Sequence, residues 1–121
     1  MRKILLTAIF LFPAVCSAKF INPMEFDGSE AQKSKVIEYI KDRVYKDYCE
    51  SELKMCQDTV LRMMERENLD AFKEASQAKD ERIMGQVIND YCDSDLDMCN
   101  YSTINMMYKE NLNSSKESLK W

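Results

Sequence analysis

Apolar residues in the first half of the chain recur at the spacing of an α-helix. The stripe consists of Val36, Ile37, Ile40, Val44 and Tyr48. Residues at this spacing share one face of a helix. The letters of a capping box, Ser29–Gln32, precede the stripe, and in such a box two side chains satisfy free backbone N–H groups. The pattern predicts helix A from about Glu30 to Tyr48.

A second apolar stripe begins soon after this helix. Ser51 is a favourable N-cap, and the carboxylates of Glu50 and Glu52 suit the positive end of a helix dipole. The stripe that follows consists of Leu53, Cys56, Val60, Met63 and Met64. We therefore expect a second helix that starts just after Ser51 and forms a hairpin with helix A.

The sequence pattern of the hairpin is repeated 43 residues further along the chain. The segment DYCESELKMC (47–56) recurs as DYCDSDLDMC (90–99) without a gap. Ile40, Val44, Ser51, Met63, Met64 and Leu69 recur as Ile83, Val87, Ser94, Met106, Met107 and Leu112. A period near 40 residues is typical of one supersecondary unit per copy. We infer an internal duplication, with repeat one at about 30–78 and repeat two at about 79–121.

The first 18 residues have the layout of a secretory signal peptide. Arg2 and Lys3 form a basic start, residues 4–12 are apolar, and small residues precede a cleavage site after Ala18. The apolar run is shorter than the roughly 20 residues that a transmembrane helix needs. We expect cleavage after Ala18, a single helical domain over 19–121, and a periplasmic or secreted protein.

The net charge of the chain excludes some classes of binding partner. Residues 19–121 contain 15 basic and 21 acidic residues, a net charge of −6. Phosphate binding needs a positive footprint, and anionic lipid attracts basic segments. The sequence therefore argues against a nucleic-acid partner and against membrane insertion.

Cleavage of the signal peptide changes the number of cysteines from five to four. An even set in an exported chain indicates disulfides, because oxidising compartments form them and small domains need them. The duplication favours the local pairs Cys49–Cys56 and Cys92–Cys99, and pairing between the copies is the alternative. With these staples the prediction is an all-α fold with four main helices, as two tandem disulfide-stapled helical hairpins. In architecture such helix pairs resemble cysteine-rich Sel1-type repeat proteins, although the glycine and alanine pattern of those repeats is missing.

Residues for catalysis or for a metal are scarce. The chain has no histidine, so the commonest general base and metal ligand is missing. The six residues between paired cysteines exceed the usual zinc spacing. A calcium-loop pattern at Asp93, Asp95 and Asp97 lacks its glycine and its final acid. We expect no enzyme activity, no cofactor and no metal site.

The methionines and aromatic residues allow several interpretations of where a partner binds. Core packing is the main interpretation of the Met stripes, a Met-lined groove is the next, and a Cu(I) carrier is the third. The candidate partner surface consists of Tyr101, Tyr108, Met63, Met64, Met106, Met107 and Trp121. Aromatic residues are typical interface anchors. Two helix pairs also bury less than a longer array does, so a homodimer is an alternative.

The expected function is binding of another protein, as an inhibitor or immunity-type protein for a toxin or hydrolase. The alternative is a periplasmic chaperone or an accessory subunit of an envelope or secretion system. These expectations follow from export, acidity and disulfide-stapled helices.

Overall fold

The computed structural model describes residues 19–121, which form four α-helices and one short 3-10 turn. The helices are α1 (Glu30–Cys49), α2 (Asp58–Ala75), α3 (Glu81–Cys92) and α4 (Tyr101–Ser115), and the 3-10 turn is Pro23–Glu25. This confirms the all-α class with four main helices, and no strand occurs in the described residues. The predicted signal peptide, residues 1–18, lies outside that range.

Helix α1 begins after Ser29, as the capping-box letters predict, but the box closes through a different residue. Ser29 Oγ accepts a hydrogen bond from Gln32 N–H at 3.2 Å. Gln32 Oε1 accepts from Asp27 N–H at 2.8 Å, and Ser29 N–H donates to Asp27 Oδ1 at 2.8 Å. The carboxylate of Asp27 thus takes the place that the glutamine has in a capping box.

The second helix of each hairpin begins later than predicted, and the prediction that Ser51 and Ser94 are its N-caps is wrong. Helices α2 and α4 begin seven residues after these serines. Asn100 caps α4 through Oδ1, which accepts from Thr103 N–H at 2.8 Å, whereas Gln57 before α2 makes no side-chain cap bond. The residues that therefore lie ahead of a helix are Leu53, Met55 and Cys56 in the first copy and Leu96, Met98 and Cys99 in the second.

Each disulfide closes within one hairpin, which confirms the local pairing. In both Cys49–Cys56 and Cys92–Cys99 the Cα atoms are 4.5 Å apart. Residues seven positions apart on one continuous helix are separated by about 10.5 Å. The chain between the bridged cysteines therefore turns back on itself instead of continuing as a helix.

The two hairpins pack together through α2 and α4, which run parallel. Near the start of α4, Asn68 Oδ1 accepts from Ser102 N–H at 3.1 Å. Further along both helices, the Glu74 carboxylate accepts from Asn105 Nδ2 at 3.1 Å and from Lys109 Nζ at 3.0 Å. Because the contacts advance in the same direction along α2 and α4, the disulfide turns that precede these helices lie at the same end of the molecule.

Buried side chains form two clusters, one centred on each hairpin. The first contains Val36, Ile40, Val44, Leu61, Phe72 and Tyr101, and the second contains Ala75, Ile83, Met84, Val87, Ile104 and Tyr108. Phe20, in the segment before α1, packs against both clusters. The N-terminal segment and Tyr101 thus join the hairpins into one core. None of the helices in residues 19–121 has the length and apolar character to cross a membrane.

Candidate binding site at the paired disulfide turns

The residues predicted to form a partner surface divide into buried, half-buried and exposed groups. Tyr101 and Tyr108 are 0% and 6% exposed, so the prediction that they belong to a binding surface is wrong. The half-buried residues are Met64 and Met107, which pack against the two clusters. The exposed ones are Met63, Met106 and Trp121. The interpretation of the Met stripes as core therefore holds only for one methionine of each adjacent pair.

Tyr101 is buried because it fills the junction between the hairpins. Its ring centroid is 5.0 Å from that of Phe20, 5.5 Å from that of Tyr39 and 4.8 Å from that of Phe72. Its hydroxyl accepts from Ile21 N–H at 3.0 Å and donates to Ile21 O at 2.9 Å. Burial raises the pKa of this hydroxyl well above its usual value. Tyr101 thus fixes the N-terminal segment and takes no part in an exposed surface.

Tyr108 has a similar structural role near the middle of α4. Its hydroxyl accepts from Asp80 N–H at 3.1 Å and from Lys79 N–H at 3.3 Å, just before α3. The signal for this burial was present in the sequence. Tyr101, Ile104 and Tyr108 lie at the i, i+3 and i+7 positions of one helical stripe.

The two disulfide turns have the same internal structure. Ser51 Oγ donates to Asp47 O and accepts from Leu53 N–H at 3.3 Å. Ser94 Oγ donates to Asp90 O and accepts from Leu96 N–H at 3.4 Å. Each serine therefore ends the preceding helix and shapes the turn, which is the opposite of the predicted role as an N-cap.

Both turns also require a left-handed residue at the same place. Lys54 has a φ of 46° and Asp97, its counterpart 43 positions later, has a φ of 48°. Residues other than glycine adopt this region at a cost in conformational energy. The duplicated geometry at non-glycine positions indicates that the disulfide and the serine bonds determine the conformation of each turn.

Side chains of α1 attach the second turn to the first hairpin. Arg43, whose side chain is only 10% exposed, makes ion pairs with Asp97 at 2.9 Å and Asp47 at 3.1 Å. The hydrogen bond from Arg43, together with its positive charge, lowers the pKa of Asp97. Tyr39 donates its hydroxyl proton to Cys99 O, and burial raises the pKa of Tyr39 to about 12. These contacts hold the two turns in a fixed relation.

Large apolar side chains project from both turns. Leu53 and Leu96 are 61% and 58% exposed, and Met55 and Met98 are 46% and 42% exposed. We call the two stretches between bridged cysteines, 50–55 and 93–98, the disulfide pole. An open cleft of about 510 Å³ separates the turns, and it is lined by Lys46, Asp47, Glu50, Ser51, Leu53, Leu96, Asp97, Met98 and Asn100.

The disulfide pole was not predicted from the sequence, because Leu53 and Leu96 were expected to lie on a helix. The signal that could have found it is the alternation of polar and apolar residues in ELKM (52–55) and DLDM (95–98), which has a period of two. An amphipathic helix has a period of 3.6. Leucine and methionine spaced two apart thus indicate an extended or turning segment.

Residues 19–121 contain no group of three or more acidic, cysteine or histidine side chains that could hold a metal ion. The cysteines of the described region are all in disulfides. The disulfide pole presents exposed apolar side chains and carboxylates on two turns, each closed by a disulfide.

Comparison with known proteins finds no match to a family model, to a curated protein or to a solved structure.

Proposed function

We propose that the protein is an exported, protein-binding protein of the inhibitor or immunity type, and that it binds its partner through the disulfide pole. The observation that carries this proposal is the exposure of four large apolar side chains on two disulfide-closed turns that lie on either side of one cleft. Disulfides persist in oxidising compartments, which supports the exported part of the proposal.

The disulfide constraint on the backbone of each turn supports a protein of the inhibitor type. Binding is weakened by the ordering of loops and side chains at an interface, and a loop that is already held in its bound conformation avoids much of that loss. In the disulfide pole each turn is closed by a disulfide, shaped by a serine and, for the second turn, anchored by Arg43. A preorganised apolar projection suits insertion into a partner's groove.

The same geometry argues against a chaperone for unfolded clients. Promiscuous binders use flexible surfaces that can repack around different sequences. The exposed Met55 and Met98 are flexible side chains, but the backbone that carries them is constrained by a disulfide on each turn. The disulfide pole therefore favours one partner of defined shape.

The proposal is tested with the chain from Lys19 to Trp121 immobilised and exposed to envelope or secreted extract. We expect one stoichiometric hydrolase or toxin, whose activity the chain inhibits. Replacing Leu53 and Leu96 together by serine should weaken binding to that protein by about 100-fold, because truncation of central apolar anchors typically costs 1–2 kcal/mol each. Both leucines are more than half exposed, so the variant should unfold at the same urea concentration as the parent chain.

The matched control replaces Met63 and Met106 by serine. These residues are also equivalent in the two copies, and each is 54% exposed, but they lie on α2 and α4 outside the disulfide pole. The control should bind within about twofold of the parent chain. Equal losses in both variants, or capture of many unfolded clients in place of one partner, would contradict the proposal.

A further inference from the structure

The partner's chemistry follows from the charge that surrounds the exposed leucines and methionines. Resting on the proposed function, we propose that the disulfide pole binds a basic protein surface, in which positive side chains surround an apolar patch. The same charge makes the disulfide pole unsuited to pairing with a second copy of this chain.

Negative charge is concentrated at the disulfide pole. Its twelve residues contain five acidic residues and one basic residue, a net charge of −4, whereas the whole of 19–121 has a net charge of −6. The six residues between Cys92 and Cys99 include three aspartates and no basic residue. Most of the net charge of the domain therefore lies beside the apolar side chains that are proposed to make the contact.

Part of this charge is already paired, and the remainder faces solvent. Arg43 compensates Asp97, and Lys46 approaches the same carboxylate at 3.8 Å. The other acidic residues of the disulfide pole, Glu50, Glu52, Asp93 and Asp95, are exposed. These four carboxylates lie within three residues of Leu53 or Leu96 in the sequence and take no part in the ion pairs that hold the turns together.

Complementary charge decides which surface can cover the apolar patch. Like charges brought together at an interface cost free energy, whereas opposite charges accelerate encounter and exclude wrong partners. Two copies in contact through their disulfide poles would bring the four exposed, unpaired carboxylates of one copy against those of the other. A partner with lysines and arginines around an apolar centre would bury Leu53 and Leu96 with the charges matched.

The test uses lysozyme and α-lactalbumin as probes, since they share a fold but lysozyme is basic and α-lactalbumin is acidic. Binding to residues 19–121 is measured by interferometry at about 0.02 M and about 0.15 M salt, between which screening becomes stronger. We expect binding to lysozyme only, about tenfold weaker at the higher salt. Changing Asp93→Asn together with Asp95→Asn should weaken the binding to lysozyme by about three- to tenfold at low salt.

The control variant removes two charges elsewhere, by Glu110→Gln and Glu117→Gln on the far end of α4 and the segment after it. Both residues are exposed. Binding within about twofold of the parent supports a local effect. Equal losses in the two charge variants, equal binding of α-lactalbumin, no binding of lysozyme, or dimers in sedimentation that the leucine-to-serine variant abolishes would each overturn the inference.

The leucine variant separates this inference from the proposed function. If Leu53→Ser with Leu96→Ser leaves binding to the captured partner intact while Asp93→Asn with Asp95→Asn weakens it, the charge inference stands and the apolar contact is wrong. If only the leucine variant weakens binding, the apolar contact stands and the preference for a basic surface is wrong.

Discussion

Single residues in the disulfide turns adopt a backbone conformation that glycine adopts with less strain. Lys54 is exposed and has a φ of 46°. Replacing Lys54 by glycine should raise the free energy of unfolding by about 0.5–1 kcal/mol, because relief of the left-handed strain exceeds the entropy that glycine adds to the unfolded chain. Urea unfolding measures the change. Glu52→Gly, at an exposed neighbour without a positive φ, should instead destabilise the protein, and a stabilised Glu52→Gly or a destabilised Lys54→Gly would contradict this account.

The buried tyrosine hydroxyls predict a loss of stability at alkaline pH. Burial raises the pKa of Tyr39 from its usual 10.0 to about 12 in the folded protein. The unfolded chain loses this proton more readily, so the contribution of Tyr39 is fully present below pH 10 and is lost as the pH rises from about 10 through 12. The urea midpoint should therefore fall over this range, and it should fall less in Tyr39→Phe. A folded-state titration of Tyr39 near pH 10, followed by absorbance, would contradict the prediction.

The disulfides act at the scale of one element, the turn of each hairpin. Each bridge joins residues separated by seven positions. Closing a loop of this size in the unfolded chain corresponds to about 2–3 kcal/mol of stability. We expect Cys49→Ala with Cys56→Ala, and equally Cys92→Ala with Cys99→Ala, to lower the free energy of unfolding by that amount in urea. If both double variants lose less than about 1 kcal/mol in the free energy of unfolding, contacts other than the disulfides determine the conformation of the turns.

The start of α4 depends on a residue from the other hairpin. Asn68 is buried, and its Oδ1 accepts from Ser102 N–H, one of the free donors at the start of α4. Asn68→Ala leaves this donor without its partner and should cost about 1–3 kcal/mol in urea unfolding. Its counterpart Asn111 is exposed and bonds only to Met107 O among the described contacts. Asn111→Ala should therefore cost less than about 0.5 kcal/mol, and equal costs would contradict a special role for Asn68.

At the element scale, sequence patterns predicted helices and disulfides well and turns poorly. Helix α1 has a continuous 3.6-residue stripe and a serine cap, and it extends one residue beyond the predicted end at Tyr48. The predicted start of α2 was wrong because Ser51, with acidic residues on both sides, matches the composition of a helix N-cap. In the structure its hydroxyl bonds backward to the last turn of α1. Local composition does not distinguish these two uses of a serine.

At the scale of the whole molecule, the two copies are not packed as equal units. Tyr101 and Tyr108 lie where the first copy has Asp58 and Glu65, and they fill the space between the hairpins and before α3. Both tyrosines were predicted to lie on an exposed surface, because the duplication reveals which residues the copies share but not how the copies dock. That docking, through α2 and α4, depends on contacts between residues more than 30 positions apart.

The same docking creates the disulfide pole, since parallel α2 and α4 place both turns at one end. Each turn carries two of the four exposed apolar side chains, and the cleft needs both turns because Leu53 lines it from one side and Leu96 and Met98 from the other. The proposed binding surface is therefore a property of the assembled domain, although each half comes from one ten-residue segment of the sequence.

Site-specific photo-crosslinking tests the role of the disulfide pole most directly. A photoreactive phenylalanine analogue is placed at Leu53 in one sample of the full chain and at Met63 in another, and both are irradiated in native extract. These residues are similarly exposed, but only Leu53 belongs to the disulfide pole. The account predicts one crosslinked partner from Leu53 and none from Met63. A crosslinked partner from Met63 with none from Leu53 would contradict it.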